Sequence, residues 1–541
     1  KMMDILSYFT NILLKLINPF VCGDIKDAKE SEKLREQGNK LFVSKPLKNC
    51  ACVDILKLYT KSIAYAPYPS EQLALAYANR SAVLLKIHKY ELCIQDIDRA
   101  LALAYPDNLR AKLYIRKIEC LNALEHPHME DAIKEAQYWL EKMSADDINR
   151  KKLSEKLNCT KHNLASQKLK KQNTTKQPPL PKIKTHNTEV PCASDAVTIK
   201  YNEEYGRHIV ATRKIRPGEV IAVEKPYSLI LTPDNIHTHC SNCLEVSWAN
   251  IPCEHCTYAM YCSEECKIME WEKYHDVECA VFPSMLKMNF VKLDLFSLRL
   301  AIQAVREATN IQELRKELKE VDSCIINVSD YLQFSEECGL EAVERGVAAM
   351  PFISLINHSC NPNILRHSRS KYMIIYAIYP IEEGEQLYDN YTQHYAITPK
   401  AVRQKELLKQ YYFKCNCLPC QENWPLFYNL KSFKVSYLLI KYILKYYFVL
   451  LFTSAIYFLQ NLVKKEEDKN RITHVLRKFN MYVDIATEGN ISDKHIVDDL
   501  LKMIEVLYEL VPMPCEEMSN VVETLKRVYD LDGNRFEIPE L

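Results

Sequence analysis

The sequence has almost no net charge and very little glycine. Among its 541 residues, 71 Lys and Arg balance 70 Asp and Glu, which leaves a formal net charge of +1, and glycine occurs only 9 times. No overall electrostatic field therefore draws the chain to nucleic acid or to a membrane, and any basic function must be local. We accordingly expect no direct, sequence-specific binding of nucleic acid.

A secretory signal is also lacking. The apolar stretch from Ile5 to Val21 is interrupted by Lys15 and Asn18 and carries no small-residue cleavage site, which favours a packing helix. Without a signal, the 21 cysteines indicate a reducing, intracellular setting, and we expect the protein in the cytoplasm and nucleus. The length predicts three or four domains, and because the sequence opens on Lys1 the position of the true start stays open.

Metal-ligand residues are concentrated between Cys240 and Cys279, in the pattern C-x2-C-x9-C-x2-C-x5-C-x3-C-x8-H-x3-C. Thiolates and a neutral imidazole are the ligands that tetrahedral Zn2+ prefers, and eight of them suffice for two ions. Pairing in alternation gives two sets: Cys240, Cys243, Cys262 and Cys266, then Cys253, Cys256, His275 and Cys279. A closed set of four ligands leaves no open position for catalysis, so both sites should be structural. The alternative, a disulfide cluster, requires an oxidising compartment.

The first part of the chain, residues 31–145, is predicted to be a helical arm. Apolar residues recur at helical spacing in segments that are joined by turns near Pro46, Pro69, Pro106 and Pro127, which fits six helices in three pairs. Residues 150–195 are predicted to be a basic, mobile linker that separates the arm from the rest of the chain, because Lys and Arg greatly outnumber acidic residues there. As an alternative, the basic run at residues 168–171, Lys-Leu-Lys-Lys, could be a nuclear localisation signal.

Five polar side chains recur at matching places on the arm: Arg35, Asn39, Asn79, Lys112 and Arg116. Spacings of four place Arg35 with Asn39, and Lys112 with Arg116, on single helix faces. If the helix pairs stack, three cations and two amides converge on one concave groove, which suits an anion. The alternative is a solvated charged face, which explains most Lys and Arg on helices.

Short β-like runs begin after Ile199, at residues 208–212, 219–224 and 228–231, and resume at 373–379. The cysteine-rich stretch and a stretch predicted to be helical, residues 281–347, interrupt them. We therefore predict one small sheet domain, residues 196–398, that is split by two insertions. A helical domain is predicted at the C-terminal end, over residues 425–541.

Three stretches carry a family resemblance: Tyr205-Gly-Arg-His208, Asn357-His-Ser-Cys360 and Gly384-Glu-Gln-Leu-Tyr-Asp-Asn-Tyr391. In this order, and with a stretch at 240–279 that resembles the MYND zinc finger, they resemble the SET-and-MYND protein-lysine methyltransferases. The arm resembles tetratricopeptide repeats, so the subgroup with such repeats matches best. The implied fold class is α+β: helical repeats, a split β-rich SET domain with an inserted finger and a helical insert, a cysteine-rich post-SET segment and a C-terminal helical domain.

The resemblance also assigns a third zinc ion. The post-SET segment, residues 399–424, holds Cys415, Cys417 and Cys420, which cannot close a tetrahedron alone. In the family the fourth thiolate is the cysteine of Asn-His-Ser-Cys, here Cys360, which would tie this segment across the active site. Without the resemblance, the three cysteines could equally be free thiols.

Methyl transfer from S-adenosylmethionine to lysine is an in-line displacement, so geometry matters more than acid-base machinery. A narrow apolar channel favours the neutral lysine amine that the reaction needs. By the resemblance, Tyr391 is the phenol at the transfer point. The residues implied to contact the cofactor are Tyr205, Gly206, Arg207, Asn357, His358, Tyr411, Tyr412 and Phe413.

Departures from the family pattern bear on activity. His208 stands where the family loop commonly has a second glycine, and a Cβ restricts both φ and close approach to a ligand, so we expect this position to affect cofactor affinity. Gln386 stands where a second glutamate is usual, and Asn327 is only a candidate for the asparagine of the insert. The competing interpretation is a catalytically weak or inactive scaffold that recruits chaperone or transcriptional partners.

Partners also follow from the resemblance. It implies a substrate lysine on a histone or another protein, and a proline-rich peptide at the finger. The five polar residues of the arm resemble the carboxylate clamp that holds the acidic C-terminal tail of heat-shock chaperones. In the C-terminal domain, Tyr446 to Val463 runs 18 residues without a charge. A buried helix, a membrane span and a gene-model error within 433–463 all stay open for this stretch.

Overall fold

The computed structural model describes residues 26–44, 49–163, 179–308, 310, 312, 325–333, 340–432, 466–488, 495–532 and 535–537. Over these ranges the chain forms a helical N-terminal region, small β-sheets with three cysteine-rich groups, and a helical C-terminal part. None of the helices within these ranges is long and apolar enough to cross a membrane. The apolar stretches at residues 5–21 and 446–463 lie outside the described residues.

Seven helices occupy residues 28–163. They are α1 (Ala28–Val43), α2 (Asn49–Tyr65), α3 (Glu71–Lys86), α4 (Tyr90–Ala102), α5 (Asp107–Ala123), α6 (Met129–Lys142) and α7 (Ile148–Asn163). Side chains cap three of them at their N-termini: Asp27 accepts from the Lys29 backbone N–H at 2.8 Å, Ser70 from that of Leu73 at 3.1 Å and Asp147 from that of Asn149 at 2.7 Å. The first six pack as consecutive pairs, and α1, α3 and α5 contact one another in sequence. The predicted helical arm is confirmed.

The seventh helix corrects one prediction. Residues 150–163 were expected to begin a mobile linker, whereas α7 continues the helical region through them. Leu153 and Leu157 pack against the core between α5 and α6, and Leu157 is buried. Two apolar contacts are therefore enough to order a segment whose many lysines remain in water. Residues 164–178 lie outside the described part of the chain.

The strands are short and form several sheets. They are β1 (Val197–Asn202), β2 (Gly206–Ala211), β3 (Val220–Glu224), β4 (Ser228–Leu231), β5 (Ile251–Pro252), β6 (Met260–Tyr261), β7 (Ile325–Gln333), β8 (Leu340–Ala349), β9 (Asn357–His358), β10 (Ile364–Arg369), β11 (Tyr372–Ala377), β12 (Tyr388–Asp389) and β13 (Arg535–Glu537). One sheet has the order β10-β11-β3 and another has the order β13-β7-β8-β4. The four predicted β runs all overlap strands. The parallel pair of β9 and β12 sets Asn357 beside Tyr388.

Within the described residues, the insert before β9 is helical in its first half and extended at 325–333 and 340–349. Helices α8 (Glu264–Glu270), α9 (Asp276–Lys287) and α10 (Lys292–Glu307) precede the strands β7 and β8. The prediction of helix throughout 281–347 is therefore wrong in its second half. Strand β8 pairs with β4, where Ser228 faces Ala349, so a tertiary contact decides the structure of a segment that the apolar pattern alone leaves ambiguous.

The arm is not separated from the rest of the chain. Arg80 of α3 is fully buried, pairs with Asp96 at 2.7 Å and donates to the backbone oxygen of Asn250 at 2.8 Å. Arg99 donates to the backbone oxygen of Ala249 at 2.7 Å. Arm side chains also share one continuous hydrophobic core with the sheets. The expectation of two units divided by a linker is thus wrong, because buried charges and apolar surface fix the arm to the cysteine-rich stretch.

Helices cover the C-terminal side of the sheets. They are α11 (Lys400–Tyr411), α12 (Leu418–Gln421), α13 (Phe479–Glu488), α14 (Ile496–Leu510) and α15 (Glu516–Asp532), and residues 466–475 are also helical. Tyr529 of α15 stacks on Tyr376 of β11 at 4.5 Å between ring centroids. Leu500 and Leu507 of α14 are buried in the same core. The C-terminal helices therefore pack on the sheet that is formed by β10, β11 and β3.

Candidate active site and metal centres

The zinc module, residues 240–279, brings its first four predicted ligands together. The ligand atoms of Cys240, Cys243, Cys262 and Cys266 all lie within 4.8 Å of one another. The Sγ atom of Cys262 is 3.7 Å from that of Cys243 and 3.6 Å from that of Cys266. A tetrahedron with zinc–sulfur bonds of about 2.3 Å separates its ligands by about 3.8 Å, so this geometry fits Zn2+. Ser263 caps α8 by accepting from the Cys266 N–H at 3.3 Å, which sets the position of that thiol.

The other four residues of the zinc module form a second group. Cys253 and Cys279 have sulfurs 3.7 Å apart, and the Sγ atom of Cys256 is 3.6 Å from Nε2 of His275. The opposite ring nitrogen of His275 lies 3.9 Å from a carboxylate oxygen of Glu278. A carboxylate behind a ligating imidazole orients the ring, as is usual at zinc sites. This group therefore also fits Zn2+, and the alternating pairing is the one that the structure shows.

The third site joins distant parts of the chain. Cys360 follows β9, and its sulfur lies 4.0 Å from that of Cys415 and 3.6 Å from that of Cys420. The backbone N–H of Cys360 donates to the sulfur of Cys417 at 3.4 Å. All four ligand atoms lie within 4.8 Å of one another. Four thiols at these separations suit Zn2+ and leave no position for a substrate.

His358 connects the third site to Tyr391. The ring nitrogen Nδ1 accepts the backbone N–H of Tyr391 at 3.0 Å, so the proton of the neutral ring sits on Nε2. Nε2 then donates to the Cys360 sulfur at 3.3 Å. Burial lowers the pKa of His358 to about 4, so the ring stays neutral at physiological pH. Its side chain acts as a structural bridge.

Tyr391 lies at the centre of an aromatic cluster. Its hydroxyl donates to the backbone oxygen of Ile356 at 2.6 Å. Its ring centroid is 4.8 Å from that of Tyr411 and 5.4 Å from that of His358, and Phe413 lies 6.1 Å from His358. The phenol oxygen is therefore fixed in a site that is lined by aromatic rings.

Tyr412 does not join this cluster. It ends α11 in a left-handed conformation, with φ of +63°, and it is 72% exposed. The turn points its neighbours Tyr411 and Phe413 to one side and Tyr412 to the other. Of the three consecutive aromatic residues that were predicted to meet the cofactor, the structure brings two to the Tyr391 cluster.

The predicted cofactor loop is held by Asn357. The Tyr205 backbone N–H donates to Asn202 at 2.7 Å, and the Asn357 amide nitrogen donates to the Tyr205 oxygen at 3.4 Å and to the side-chain oxygen of Gln386 at 3.0 Å. Gly206 has φ of +64°, and a Cβ built on it would meet no atom within 4 Å. The loop thus needs glycine there, and the space beside it is open. Arg207 is the second residue of β2, and it is exposed.

His208 supports this loop from within β2. It pairs with Lys200 in the strand register, so its backbone is extended and requires no glycine. Its ring is buried, donates from Nδ1 to the Gly206 oxygen at 2.9 Å and contacts the Tyr205 ring. Since the space beside Gly206 stays open, the Cβ of His208 does not obstruct the loop.

Two buried ionisable residues were not predicted as part of the site. Glu224 accepts the backbone N–H groups of Phe352 and Ile353 at 2.6 and 3.0 Å, which fixes the turn before Asn357. Burial raises the pKa of Glu224 to about 7. Arg403 of α11 is also buried. The sequence carries no local signal for either, because both roles depend on contacts between distant segments.

Four of the five polar residues of the arm, Arg35, Asn39, Asn79 and Arg116, lie around Tyr59, which was not predicted. Asn39 accepts from the Tyr59 hydroxyl at 2.8 Å and from the Asn79 amide at 2.7 Å. Burial raises the pKa of Tyr59 to about 12, against the opposing charges of Arg35 and Arg116. Both guanidinium groups therefore lie near this phenol.

The cations of the arm are not equivalent. One terminal nitrogen of Arg116 donates to the Ala78 oxygen and to the Ser81 hydroxyl, both at 2.6 Å, so that nitrogen is already committed. The buried Nε of Arg35 has no hydrogen-bond partner within the described residues. Burial, followed by the charges of Arg116 and Lys156, lowers the pKa of Lys112. Positive charge is thus concentrated around Lys112 and Arg116, and an anion would offset it.

Comparisons with known proteins agree with this architecture. Residues 206–392 match the family model for the SET domain. The chain is 30% identical over 319 residues to the Gallus gallus protein-lysine N-methyltransferase SMYD4, covering 54% of this chain and 42% of that protein. It is 29% identical over 341 residues to the Homo sapiens protein of the same name, covering 58% and 41%.

A yeast relative carries both domain names. The SET domain and MYND-type zinc finger protein 6 of Schizosaccharomyces pombe is 26% identical over 248 residues, covering 41% of this chain and 51% of that protein. The chain thus spans roughly half or less of the length of the relatives it matches. Residues 206–392 of the chain are thus similar to SET domains, and the proteins it resembles include protein-lysine N-methyltransferases and a protein named for a SET domain and a MYND-type zinc finger.

Proposed function

We propose that the chain is an S-adenosylmethionine-dependent protein-lysine N-methyltransferase. One observation carries the proposal: the Tyr391 hydroxyl is fixed by the Ile356 oxygen at 2.6 Å, inside an aromatic cluster where the motif stretches meet. A positioned phenol in a site lined by aromatic rings suits a reaction that depends on alignment. The SET domain and the relatives support the same activity.

S-adenosylmethionine, when bound, supplies the methyl group. The residues that would hold it are Asn357 and the Tyr205–Gly206 loop, which adjoin open space, and Tyr411 with Phe413, whose rings can stack on a base. His358 would contribute through its backbone, since both nitrogens of its ring are engaged. Arg207 and the exposed Tyr412 would meet the cofactor at most from the edge of this space.

The chain's own residues would prepare the substrate lysine. An aromatic channel disfavours the ammonium form, because burial lowers the pKa of an amine. The Tyr391 hydroxyl, which donates to the Ile356 backbone oxygen, would accept a hydrogen bond from an N–H of the neutral amine and so aim the lone pair of the amine nitrogen. Tyr391 is the proposed catalytic residue.

We propose that the finer parts keep their predicted bounds, apart from the corrections above. These are tetratricopeptide repeats at 31–145, a split SET domain at 196–398, a MYND finger at 240–279, a post-SET segment at 399–424 and a helical domain at 425–541. Three structural zinc ions would occupy the three four-ligand groups. Ile268 and Trp271 on the module are exposed and apolar, which suits a proline-rich peptide. Cytoplasm and nucleus remain the proposed locations.

A labelled methyl group tests the activity directly. The zinc-loaded protein is incubated with isotope-labelled S-adenosylmethionine and either core histones or an array of lysine-containing peptides, and mass spectrometry locates the label. Label on lysine side chains supports the proposal. Binding of S-adenosylmethionine without transfer to any of these lysines would favour the scaffold interpretation.

We propose a second function for the arm, the binding of an acidic C-terminal tail such as those of heat-shock chaperones. The supporting observation is the orientation of Asn39: its oxygen accepts from Tyr59 and Asn79, so its amide N–H groups point elsewhere and can donate to a carboxylate. Arg35 and Lys112 would add charge-assisted bonds. A peptide that ends in acidic residues should bind, and amidation of its C-terminus should remove most of that affinity.

A further inference from the structure

Arg403 is buried beside the sulfurs of the third site. Its side chain is on α11, and the residue is only 1% exposed. The Nε atom donates to the Cys360 sulfur at 3.2 Å, and a terminal nitrogen donates to the Cys420 sulfur at 3.7 Å. The other terminal nitrogen donates to the backbone oxygens of Tyr395 and Thr398. The guanidinium is thus directed at two thiols and two carbonyls.

Arg403 differs in one respect from two other buried arginines. Arg80 pairs with Asp96, and Arg299 pairs with Glu278. Arg403 has no carboxylate partner within the described part of the chain. A guanidinium that is removed from water is costly unless an opposite charge offsets it. The sulfurs are the groups in contact that can carry that charge, and they carry it only as thiolates.

Metal loading supplies this charge. Four thiolates around one divalent ion leave an excess of two negative charges, which is most unfavourable in a buried site without a nearby cation. The planar guanidinium can face two sulfurs at once, which a lysine ammonium does less well. The cation and the metal–thiolate group would therefore stabilise each other.

We propose that Arg403 is the counter-cation of the third metal site and that it sets how tightly this site retains Zn2+. It is a positioning residue, acting through the thiolates. Because α11 ends at Tyr411, whose hydroxyl donates to the backbone oxygen of Tyr391 at 3.4 Å, the contact of Arg403 with the sulfurs also anchors one wall of the aromatic cluster to the metal site. The inference concerns metal binding and does not depend on methyl transfer.

Zinc release tests this role. Zinc-loaded full-length protein is mixed with a chromophoric chelator, and the release of each zinc is followed over time; the release phase that is absent from Cys360→Ser identifies the third site. We expect Arg403→Met to release the third zinc at least about 10-fold faster, in line with the loss of a buried charged hydrogen bond. Lys405→Met is the matched control, because Lys405 is exposed on the same helix. Equal release from both variants would overturn the proposal.

A conservative variant covers the case in which Arg403→Met does not fold. Arg403→Lys keeps the charge but loses the planar fork, so three zinc ions should bind and the third should leave faster than from the unmutated protein. The rates at which the two zinc ions of the zinc module are released should stay unchanged. An unaltered third phase in Arg403→Lys, together with misfolding of Arg403→Met, would assign Arg403 a purely structural role and contradict the proposal.

Discussion

The zinc module and the third metal site use the same kind of ligand but are built in opposite ways. The eight ligands of the module lie within residues 240–279, whereas Cys360 stands 55 residues before Cys415. Closing the longer loop costs more conformational entropy, so the third site depends on the surrounding fold. The third site also contacts the catalytic region, because His358 donates to the Cys360 sulfur and accepts the backbone N–H of Tyr391. The metal site that joins distant segments is the one placed to organise chemistry.

The strongest test of this contrast removes one ligand from each region. Cys360→Ser and Cys243→Ser should each lower the zinc content from three ions to two, measured by metal analysis. Cys360→Ser should also reduce methyl transfer by more than about 100-fold, because the bridge to Tyr391 is lost. Cys243→Ser should lower thermal stability and leave transfer within about 10-fold of the unmutated protein. Equal losses of transfer in the two variants would erase the distinction.

A change at Tyr391 separates chemistry from metal binding. Tyr391→Phe keeps the ring and removes the hydroxyl, so kcat for methyl transfer should fall by about 100-fold while three zinc ions stay bound. Tyr412→Phe is the matched control, since the Tyr412 ring is 72% exposed, and it should change neither quantity. Full activity in Tyr391→Phe would move the transfer point to another tyrosine.

Acidification probes a contact that involves no metal, between His367 of β10 and the C-terminal helix α15. Burial, assisted by the charge of Arg369, lowers the pKa of His367 to about 4, and its ring lies 5.7 Å from Tyr529 of α15. Since the folded pKa lies below the unfolded value, the folded state loses stability as the pH falls from about 6.5 to about 4.

Replacing the imidazole isolates this contribution. His367→Phe should lose roughly 2 kcal/mol less stability than the unmutated protein between pH 7 and pH 4, measured by denaturant unfolding. Zinc release at low pH affects both proteins, so their difference reports on His367. Identical pH dependence in the two proteins would show that this histidine does not resist protonation.

The arm groove has the smallest expected effect and needs no metal. Lys112→Ala should lower the affinity of the arm for a peptide with an acidic C-terminal tail by about 10-fold, because one charge-assisted bond is lost. Fluorescence anisotropy measures this affinity. Lys134→Ala removes a lysine from the exposed side of α6 and should bind normally. Zinc content should not change in either variant. Equal binding by both would leave the groove as a solvated face.

The same contrast explains what the sequence could predict. The module's ligands were paired correctly because their spacing is local, and the arm helices followed from periodicity. Cys360 was assigned only through a family resemblance. Arg403 was not predicted, because its contact with the Cys360 sulfur joins segments that are 43 residues apart in the sequence. The docking of the arm through Arg80 was missed for the same reason, since its partner Asn250 is 170 residues away.

Local patterns also misled where tertiary pairing decides. Strand β8 pairs with β4, so a stretch predicted to be helical is extended. Helix α7 was predicted to be part of a linker because its sequence is rich in lysine and few of its apolar residues contact the core. That His208 affects cofactor affinity stays a prediction, but its ring donates to the Gly206 oxygen, a contact that the residue type did not indicate. A residue type alone does not reveal which way a side chain turns.

Calorimetric titration with S-adenosylmethionine tests the central claim most directly, because binding separates an enzyme from a scaffold before any substrate is known. The zinc-loaded protein should bind one equivalent. Asn357→Ala, which removes the amide that holds the Tyr205 loop, should weaken this binding by at least about 10-fold. A protein that carries three zinc ions and gives no saturable binding up to millimolar cofactor would contradict the assignment as a methyltransferase.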